Sequence, residues 1–300
     1  MRINQGRILQ FLSPNAFSER PGGGGGVART RNFLRGRART MKIPILKGIL
    51  MVVFGAFSTI FFCFSSYAET TRSDKWNFQL APYAWLAGQN GKVATLPSLP
   101  PADIEVDFYD DILGNINGAI MLVGEARKGR YGVVMDIAYN DIEAEESTSG
   151  PFFSSVESRT KSWIVSAAGL YRLVEKDRAF LDVVGGIRYW SVESKLSLEA
   201  GLLPARKISN KEDWVDPLVG LKGLTPIGES KFFVSGALAI GGFGVGSDFM
   251  WDANINLGYQ WTKRFSTTFG YRYLDVDYEE DDFLYDVAQD GLVLGLSWRF

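Results

Sequence analysis

The chain of 300 residues contains no histidine and a single cysteine, Cys63. It therefore lacks the side chain that titrates near neutral pH and serves most often as general acid or base. Acid–base chemistry would fall to carboxylates. Three groups stand together in sequence: Asp110-Asp111, Glu145-Glu146 and Glu279-Glu280-Asp281-Asp282. Adjacent carboxylates of this kind, in segments rich in polar residues, read as solvated loop surface. A metal ion would need oxygen ligands, as Ca²⁺ or Mg²⁺ does. The run 279–282, with Asp275 and Asp277, has the composition for one, but its spacing matches no EF-hand. Gly241-Gly242-Phe243-Gly244-Val245-Gly246 mimics a phosphate-binding loop, yet such a loop must open a helix. The residues that follow alternate as a strand does, so a tight hairpin with glycines at positive φ is expected. No catalytic residue, cofactor-binding residue or metal ligand is assigned, and no enzymatic activity is expected.

What the sequence does specify is a set of strands. From Phe249 to Trp261 one face reads Phe249, Trp251, Ala253, Ile255, Leu257, Tyr259, Trp261, and the other Met250, Asp252, Asn254, Asn256, Gly258, Gln260. The first face is too aromatic to sit in water, and the second too polar for a sandwich core. Lipid outside and a polar lumen inside satisfy both. The same alternation recurs in Phe265–Tyr273, in Ser162–Leu173 and at the C-terminus, where Leu292, Leu294, Leu296, Trp298 and Phe300 share a face. Strands are expected near 75–88, 115–128, 130–143, 157–174, 179–198, 210–227, 231–242, 247–262, 264–279 and 283–300. The fold class is thus all-β: a closed, antiparallel, up-and-down transmembrane barrel of about ten strands. Eight or twelve stay open, because strand 2 is apolar on both faces. In addition, Val93–Leu96 and Ile104–Phe108 read as extensions of strands 1 and 2, too short to cross a membrane alone.

An even count brings both ends of the barrel to one side. Tight turns at 127–130, 175–178, 228–231 and 262–264 alternate with links at 88–114, 144–156, 199–209, 243–246 and 279–283, three of them long. Aromatics sort to the two strand ends: Trp76, Tyr131, Tyr171, Phe232, Trp261, Phe265, Trp298 and Phe300 to the short-turn side; Tyr139, Trp163, Tyr189, Phe249, Trp251 and Tyr273 to the other. Two such girdles flank a lipid-facing band. Pro217, inside strand 6, removes a ladder donor, and a bulge is expected there.

The leader differs in charge from the rest. Residues 1–68 carry ten of the 32 Arg/Lys and one of the 34 Asp/Glu, leaving a strongly acidic body. Nucleic acid is excluded as a partner, since phosphate binding needs clustered cations. Residues 1–40, with five successive glycines and many arginines, read as disordered or as an upstream leader before the true start at Met41. Residues 41–68 read as a secretory signal peptide: Lys42 and Lys47, then an apolar stretch from Gly48 to Phe64, then Ser66-Tyr67-Ala68, with cleavage after Ala68. An uncleaved anchor helix is the alternative. The barrel domain occupies 69–300. Cys63 falls in the apolar stretch, so the mature chain has no cysteine.

Signal, alternating strands and the terminal Leu294-x-Leu296-x-Trp298-x-Phe300 resemble the small Gram-negative outer-membrane β-barrel proteins, the broad OmpA/OmpW-like group, over about residues 75–300. The resemblance implies residence in the outer membrane, contact with its lipid and lipopolysaccharide, and a terminal aromatic strand read by the barrel-assembly machinery. It also implies that the enzymes of that membrane, which depend on a histidine, are poor guides here. Inward positions carry Asp136, Asp182, Asp216, Asp252 and Glu125 against Arg172, Arg188, Lys222, Arg272, Arg299 and Arg127. The two signs balance. An ion-pair network filling a small barrel is expected, since ten strands lie near the filled end of the size range. The function read from this is a structural or surface-interaction barrel whose external links 88–114, 144–156 and 199–209 meet lipopolysaccharide or a partner. A divalent ion on the acidic run 279–282 could bridge to lipopolysaccharide phosphates, but a solvated loop is the expectation. The alternative is a narrow pore for small or hydrophobic solutes, with the stretch Leu96, Pro97, Leu99, Pro100, Pro101 either guiding an apolar ligand or packing as a lid.

Overall fold

The computed structural model describes residues 75–96, 101–109, 113–147 and 152–300. Among these, eleven strands form one antiparallel sheet: β1 (Asn77–Ala94), β2 (Ala102–Val106), β3 (Ile116–Lys128), β4 (Tyr131–Ser147), β5 (Phe153–Lys176), β6 (Ala179–Ala200), β7 (Arg206–Pro226), β8 (Phe232–Gly242), β9 (Phe249–Gln260), β10 (Phe265–Glu280) and β11 (Phe283–Arg299). From β3 to β11 each pairs with its neighbours in chain order, β3 pairs with β1, and β11 pairs back onto β1 from Gln79↔Arg299 to Ala94↔Leu284. Ten strands thus close a ring. The eleventh, β2, pairs with β1 alone, Ala102–Val106 against Gln89–Val93, beyond the stretch where β1 meets β3. Ring closure leaves no edge in the lipid layer, the condition for strands to cross it.

Ile104–Val106 therefore belongs to a separate short strand and does not prolong β3, because residues 107–109 and 113–115 lie outside any strand. Elsewhere the strand ends at the short-turn side fall within about two residues of expectation. At the other side β4, β5 and β7 run several residues further, while β1 continues to Ala94 and takes in the start of the expected extension. Apolar alternation stops where the lipid stops, but a hydrogen-bond ladder does not need it. Positive φ occurs at Gly129 and Asp177, in two-residue loops that match the strand twist, and at Gly228 in the longer loop between β7 and β8. The glycine hairpin between β8 and β9 has Gly242, Phe243 and Gly244 at positive φ, as expected.

Pro217 produces no bulge. The β6–β7 register runs through Arg188↔Asp216 and Ile187↔Pro217 without a shift, and pairing of β7 with β8 starts one residue later, at Leu218↔Gly241. A missing N–H is tolerated where the neighbouring strand has already ended.

The outward face reports the membrane's position. Tyr131 and Tyr139 on β4, Tyr171 and Trp163 on β5, Tyr259 and Trp251 on β9, Phe265 and Tyr273 on β10 are each eight residues apart. Across strands they pair as rings: Tyr131 with Tyr171 at 5.4 Å, Tyr139 with Trp163 at 4.4 Å, Trp251 with Tyr273 at 4.6 Å, Phe265 with Trp298 at 5.8 Å. Eight residues of tilted strand span roughly the ~25 Å apolar band of an outer-membrane barrel. Between the girdles Ile187, Val215, Leu257, Phe269 and Leu294 project outward and exposed.

Above the outer girdle the two faces exchange character. On β10, Phe265, Phe269, Tyr271 and Tyr273 face out, but the same outward series continues as Asp275, Asp277, Glu279. The inward series changes from Ser266, Thr268, Arg272 to the buried Leu274, Val276 and Tyr278. On β6, outward Val183, Ile187, Tyr189 gives way to Ser191, Glu193, Lys195, and inward Asp182, Arg188 to Trp190, Val192, Leu196, Leu198. Below the girdle the barrel is polar inside and apolar outside. Above it, the barrel is built as a water-soluble barrel is, and the hydrophobic core of Trp190, Trp214, Leu274, Val276, Tyr278, Phe283, Tyr285 and Val287 lies there.

Candidate functional site

The lumen holds the concentrated chemistry, in three levels. The middle level lies just below the outer girdle. Asp252 on β9 accepts from Arg188 on β6 (Nη2, 2.6 Å) and from Arg272 on β10 (Nε, 3.1 Å; Nη2, 2.7 Å). Arg272 also donates to Asp136 on β4 (3.2 Å) and to the Tyr83 hydroxyl on β1 (3.1 Å), which itself donates to Asp136 at 2.8 Å. Arg188 reaches Ser166 Oγ at 2.8 Å. Arg272 also lies over the Trp85 ring, 4.8 Å from its centroid. Strands β4 and β10, and β6 and β9, are not neighbours in the ring, so these contacts cross the lumen.

The lower level is also a set of cross-lumen ties. Arg127 on β3 donates to Asp182 on β6 at 2.5 Å and to Glu125 at 3.0 Å; Arg172 donates to Asp182 at 2.6 Å and to Glu175 at 2.9 Å. Lys222 on β7 pairs with Glu125 on β3. Asp182 is fully buried. Charge-assisted bonds from two guanidinium groups offset the cost of holding a carboxylate out of water.

The upper level is aromatic. Trp190, Trp214 and Tyr278 stack in parallel, with centroids 5.6 and 4.0 Å apart, and Phe283 and Tyr285 pack edge-on or tilted against Trp214. At its base sits Asp216, wholly buried. Its carboxylate accepts from Trp190 Nε1 (2.8 Å), Ser247 N (2.6 Å) and Ser247 Oγ (2.7 Å), and Ser247 Oγ accepts from Trp214 Nε1 at 2.9 Å. The β8–β9 hairpin thus tucks under the stack. Asp216 departs from the expected pairing: its register partner Arg188 turns to Asp252 instead, and hydrogen bonds replace a counter-ion.

Every inward charge read from the alternation faces the lumen. Arg299 stands apart from the network, donating to Gln79 Oε1 at 3.1 Å. Below the middle level a cavity of about 890 Å³ extends to the short-turn rim, where Asp177, Arg178, Lys263 and Arg264 line it. Sequence reasoning missed Tyr83 and the whole aromatic level. The signal was present in the exchange of faces along β6 and β10, where Trp190 and Tyr278 occupy inward positions beside outward acids.

The outer surface above the girdle is a mosaic of ion pairs. Arg159 clasps Asp141 through Nε (2.8 Å) and Nη2 (2.7 Å) and reaches Glu143 at 3.3 Å. Those hydrogen bonds, with the charges of Arg159 and Lys161, hold the Asp141 carboxyl below the usual carboxylate range against the opposing effect of its burial. At girdle height a shallow outward pocket of about 460 Å³ is lined by Tyr139, Trp163, Tyr189, Lys161, Lys211, Ser191 and Glu193. Glu279, Glu280, Asp281 and Asp282 are exposed, as is Glu145. Asp110, Asp111, Pro97, Leu99 and Pro100, like the leader, lie outside the described residues.

No family model matches the chain, and no curated protein matches it. Among solved structures it is similar to the outer membrane protease OmpT from Escherichia coli, at 12% identity and a TM-score of 0.49, covering 78% of this chain and 100% of that one. It is similar also to Ail, the attachment invasion locus protein of Yersinia pestis (12%, 0.33, 76% and 99%), and to Neisserial surface protein A (12%, 0.31, 75% and 97%). The closed ring, its lipid-facing band and its two girdles are themselves the architecture of an outer-membrane β-barrel protein.

Proposed function

We propose that this protein is a non-conducting outer-membrane barrel that presents a rigid head at the cell surface and holds outer-leaflet lipopolysaccharide against its flank. The carrying observation is the exchange of faces at the outer girdle. Above it the lumen is occupied by stacked rings packed as a core, and below it two levels of ion pairs tie opposite walls together. Water and solute would have to displace both. On this reading the chain acts by what its surface binds and not by chemistry in the lumen.

The flank that fits a phosphorylated glycolipid is the outward pocket on β4–β7. Its Tyr139, Trp163 and Tyr189 rings lie where sugar and acyl chain meet. Lys161 and Lys211 stand just above, at headgroup height, where each cation near an anionic surface contributes on the order of 1 kcal/mol. The export signal at 41–68, cleaved after Ala68, and the aromatic strand ending at Phe300 would serve delivery and insertion by the assembly machinery.

The test is conductance. Purified protein in planar bilayers is expected to give no resolved current steps. Steps of the size of a general porin, or liposome swelling with small sugars, overturn this reading in favour of the narrow-pore alternative.

A further inference from the structure

We propose that the short-turn half of the lumen is a binding pocket for a small multivalent oxyanion, bearing phosphate or carboxylate groups, that enters from the periplasm. The cavity there holds about 890 Å³, and none of the stacked rings of the upper level is among its lining residues. The Arg188–Asp252–Arg272–Asp136 level forms its ceiling, and the aromatic core lies above that.

Its charge is unbalanced, unlike that of the lumen read as a whole. Nine arginine and lysine side chains line it against five carboxylates. Asp182, held behind Arg127 and Arg172, is a sixth. With the terminal carboxylate of Phe300, which also lines the cavity, an excess of two positive charges remains in a space walled by low-dielectric protein, which focuses the field on whatever enters. The surplus is not spread evenly. Arg299 lines the cavity, bonds only Gln79 Oε1 and forms no ion pair among the described residues. Lys263 and Arg264 stand at the mouth, and the adjoining turns carry Lys128, Arg130, Lys176 and Lys231. An anion diffusing in the periplasm meets a basic rim and then a basic interior.

Strands β8 to β10 add neutral hydrogen-bonding groups to the lining, among them Ser235, Asn254, Asn256 and Thr268. Two polar atoms on residues that line the cavity have no hydrogen-bond partner among the described residues: the Ser297 hydroxyl, on a residue only 9% exposed, and Arg127 Nη1. Buried donors are rarely left unpaired. Cations interspersed with amide and hydroxyl donors match an oxyanion with several oxygens, and a neutral sugar or a cation would leave the excess charge uncompensated. Phosphate and polycarboxylate present the same chemistry, whether free in solution or as a phospholipid headgroup reaching in from the inner leaflet.

The experiment is calorimetric titration of the folded, full-length barrel in an uncharged detergent with inorganic pyrophosphate, at fixed ionic strength. A single saturable site is expected. Arg299→Gln, and separately Asn256→Ala on β9, should each weaken it tenfold or more, with folding checked by circular dichroism. The rim variant Lys128→Gln/Arg130→Gln, whose cations do not line the cavity, should change it less than about twofold. Absence of binding at millimolar pyrophosphate overturns the proposal. So does equal affinity in Arg299→Gln and Asn256→Ala, or a loss in the rim variant as large as theirs. A short-chain phosphatidylglycerol added as competitor separates the sources. Displacement of pyrophosphate identifies a lipid headgroup as the occupant, and no displacement identifies a free anion; both support the site. Conductance plays no part in the measurement, so its outcome is independent of whether the lumen is sealed.

Discussion

Replacing Asp252 with asparagine isolates the contribution of the middle level of the lumen. The amide has almost the volume of the carboxylate, so no cavity forms and the change is electrostatic. Asp252 is 6% exposed and accepts three hydrogen bonds from two guanidinium groups, Arg188 and Arg272, whose side chains are themselves 5% and 8% exposed. Asp252→Asn leaves Arg188 without a carboxylate partner and Arg272 with only Asp136. Removing one member of a buried ion pair destabilises by about 3–5 kcal/mol, because the charges left behind stay out of water. At 1.4 kcal/mol per decade that is roughly two to three and a half decades in the unfolding equilibrium. The comparison is Glu193→Gln, which breaks the Lys195 pair on the outer surface, where the side chains are 29% and 47% exposed. An exposed pair of this kind contributes about 0–1 kcal/mol. Denaturant unfolding in lipid vesicles, followed by tryptophan fluorescence, measures both. If Asp252→Asn shifts stability no more than Glu193→Gln does, the cross-lumen network is not what holds the walls together.

Gly291 on β11 has the backbone of Leu86 on β1 where a Cβ would sit. Gly291→Ala must therefore part the closing seam, and a loss above the ~1–3 kcal/mol typical of overpacking is expected, read as a lower denaturant midpoint. Trp214→Ala removes a ring stacked between Trp190 and Tyr278 and the hydrogen bond to Ser247; about 3–5 kcal/mol is expected, still without conductance in planar bilayers because both ion-pair levels remain. Lys161→Ala/Lys211→Ala should weaken lipopolysaccharide retention by about 2 kcal/mol, roughly 25-fold, measured as lipid co-purifying through detergent exchange. Asp141 is expected to titrate below the ~3.9 of an unperturbed aspartate, with Arg159→Met moving its midpoint back up in carboxyl NMR. Since its folded pKa is depressed, its contribution to stability is present above the unfolded pKa and is lost as pH falls through the folded one.

The barrel was legible because lipid imposes a rule on every residue it touches. Phe265, Phe269 and Tyr273 must face out and Ser266, Thr268 and Arg272 must face in, so register, strand identity and the inward charges all follow from a period of two. Where the rule ends, so did the reading. Glu145-Glu146 and Lys207–Ser209 carry no apolar series, so nothing in their pattern marks the ladders that continue through them. Pro217 suggests a bulge because alternation does not give the β7–β8 register, in which pairing begins only at Leu218↔Gly241. The partners within the lumen were beyond reach for a related reason. Alternation says that Asp216 and Arg188 face inward on paired strands, but it does not say that Arg188 will turn across to β9. That choice depends on which walls the closed ring brings together.

The same geometry explains why a charged interior is tolerated at all. With hydrocarbon outside, the inward series of each strand is the only place for polar residues between the girdles. Those residues cannot be hydrated as they would be in a wide channel, so they must find each other. The pairs they form join distant parts of the chain: Arg127 with Asp182 across 55 residues, Lys222 with Glu125 across 97, Arg272 with Asp136 across 136, Arg272 with Tyr83 across 189. None of these can form until the ring has nearly closed. A hydrophobic lumen of equal volume would pack without regard to which strand met which, and a slip of one residue would carry every charge to the lipid face. The ion pairs make the closed register the one arrangement in which Glu125, Asp136, Asp182 and Asp252 are all satisfied. Above the girdle, where water covers the outward face, that constraint disappears and ordinary aromatic packing takes over. The change from ion pairs to stacked rings along the axis thus follows from what surrounds the barrel at each height.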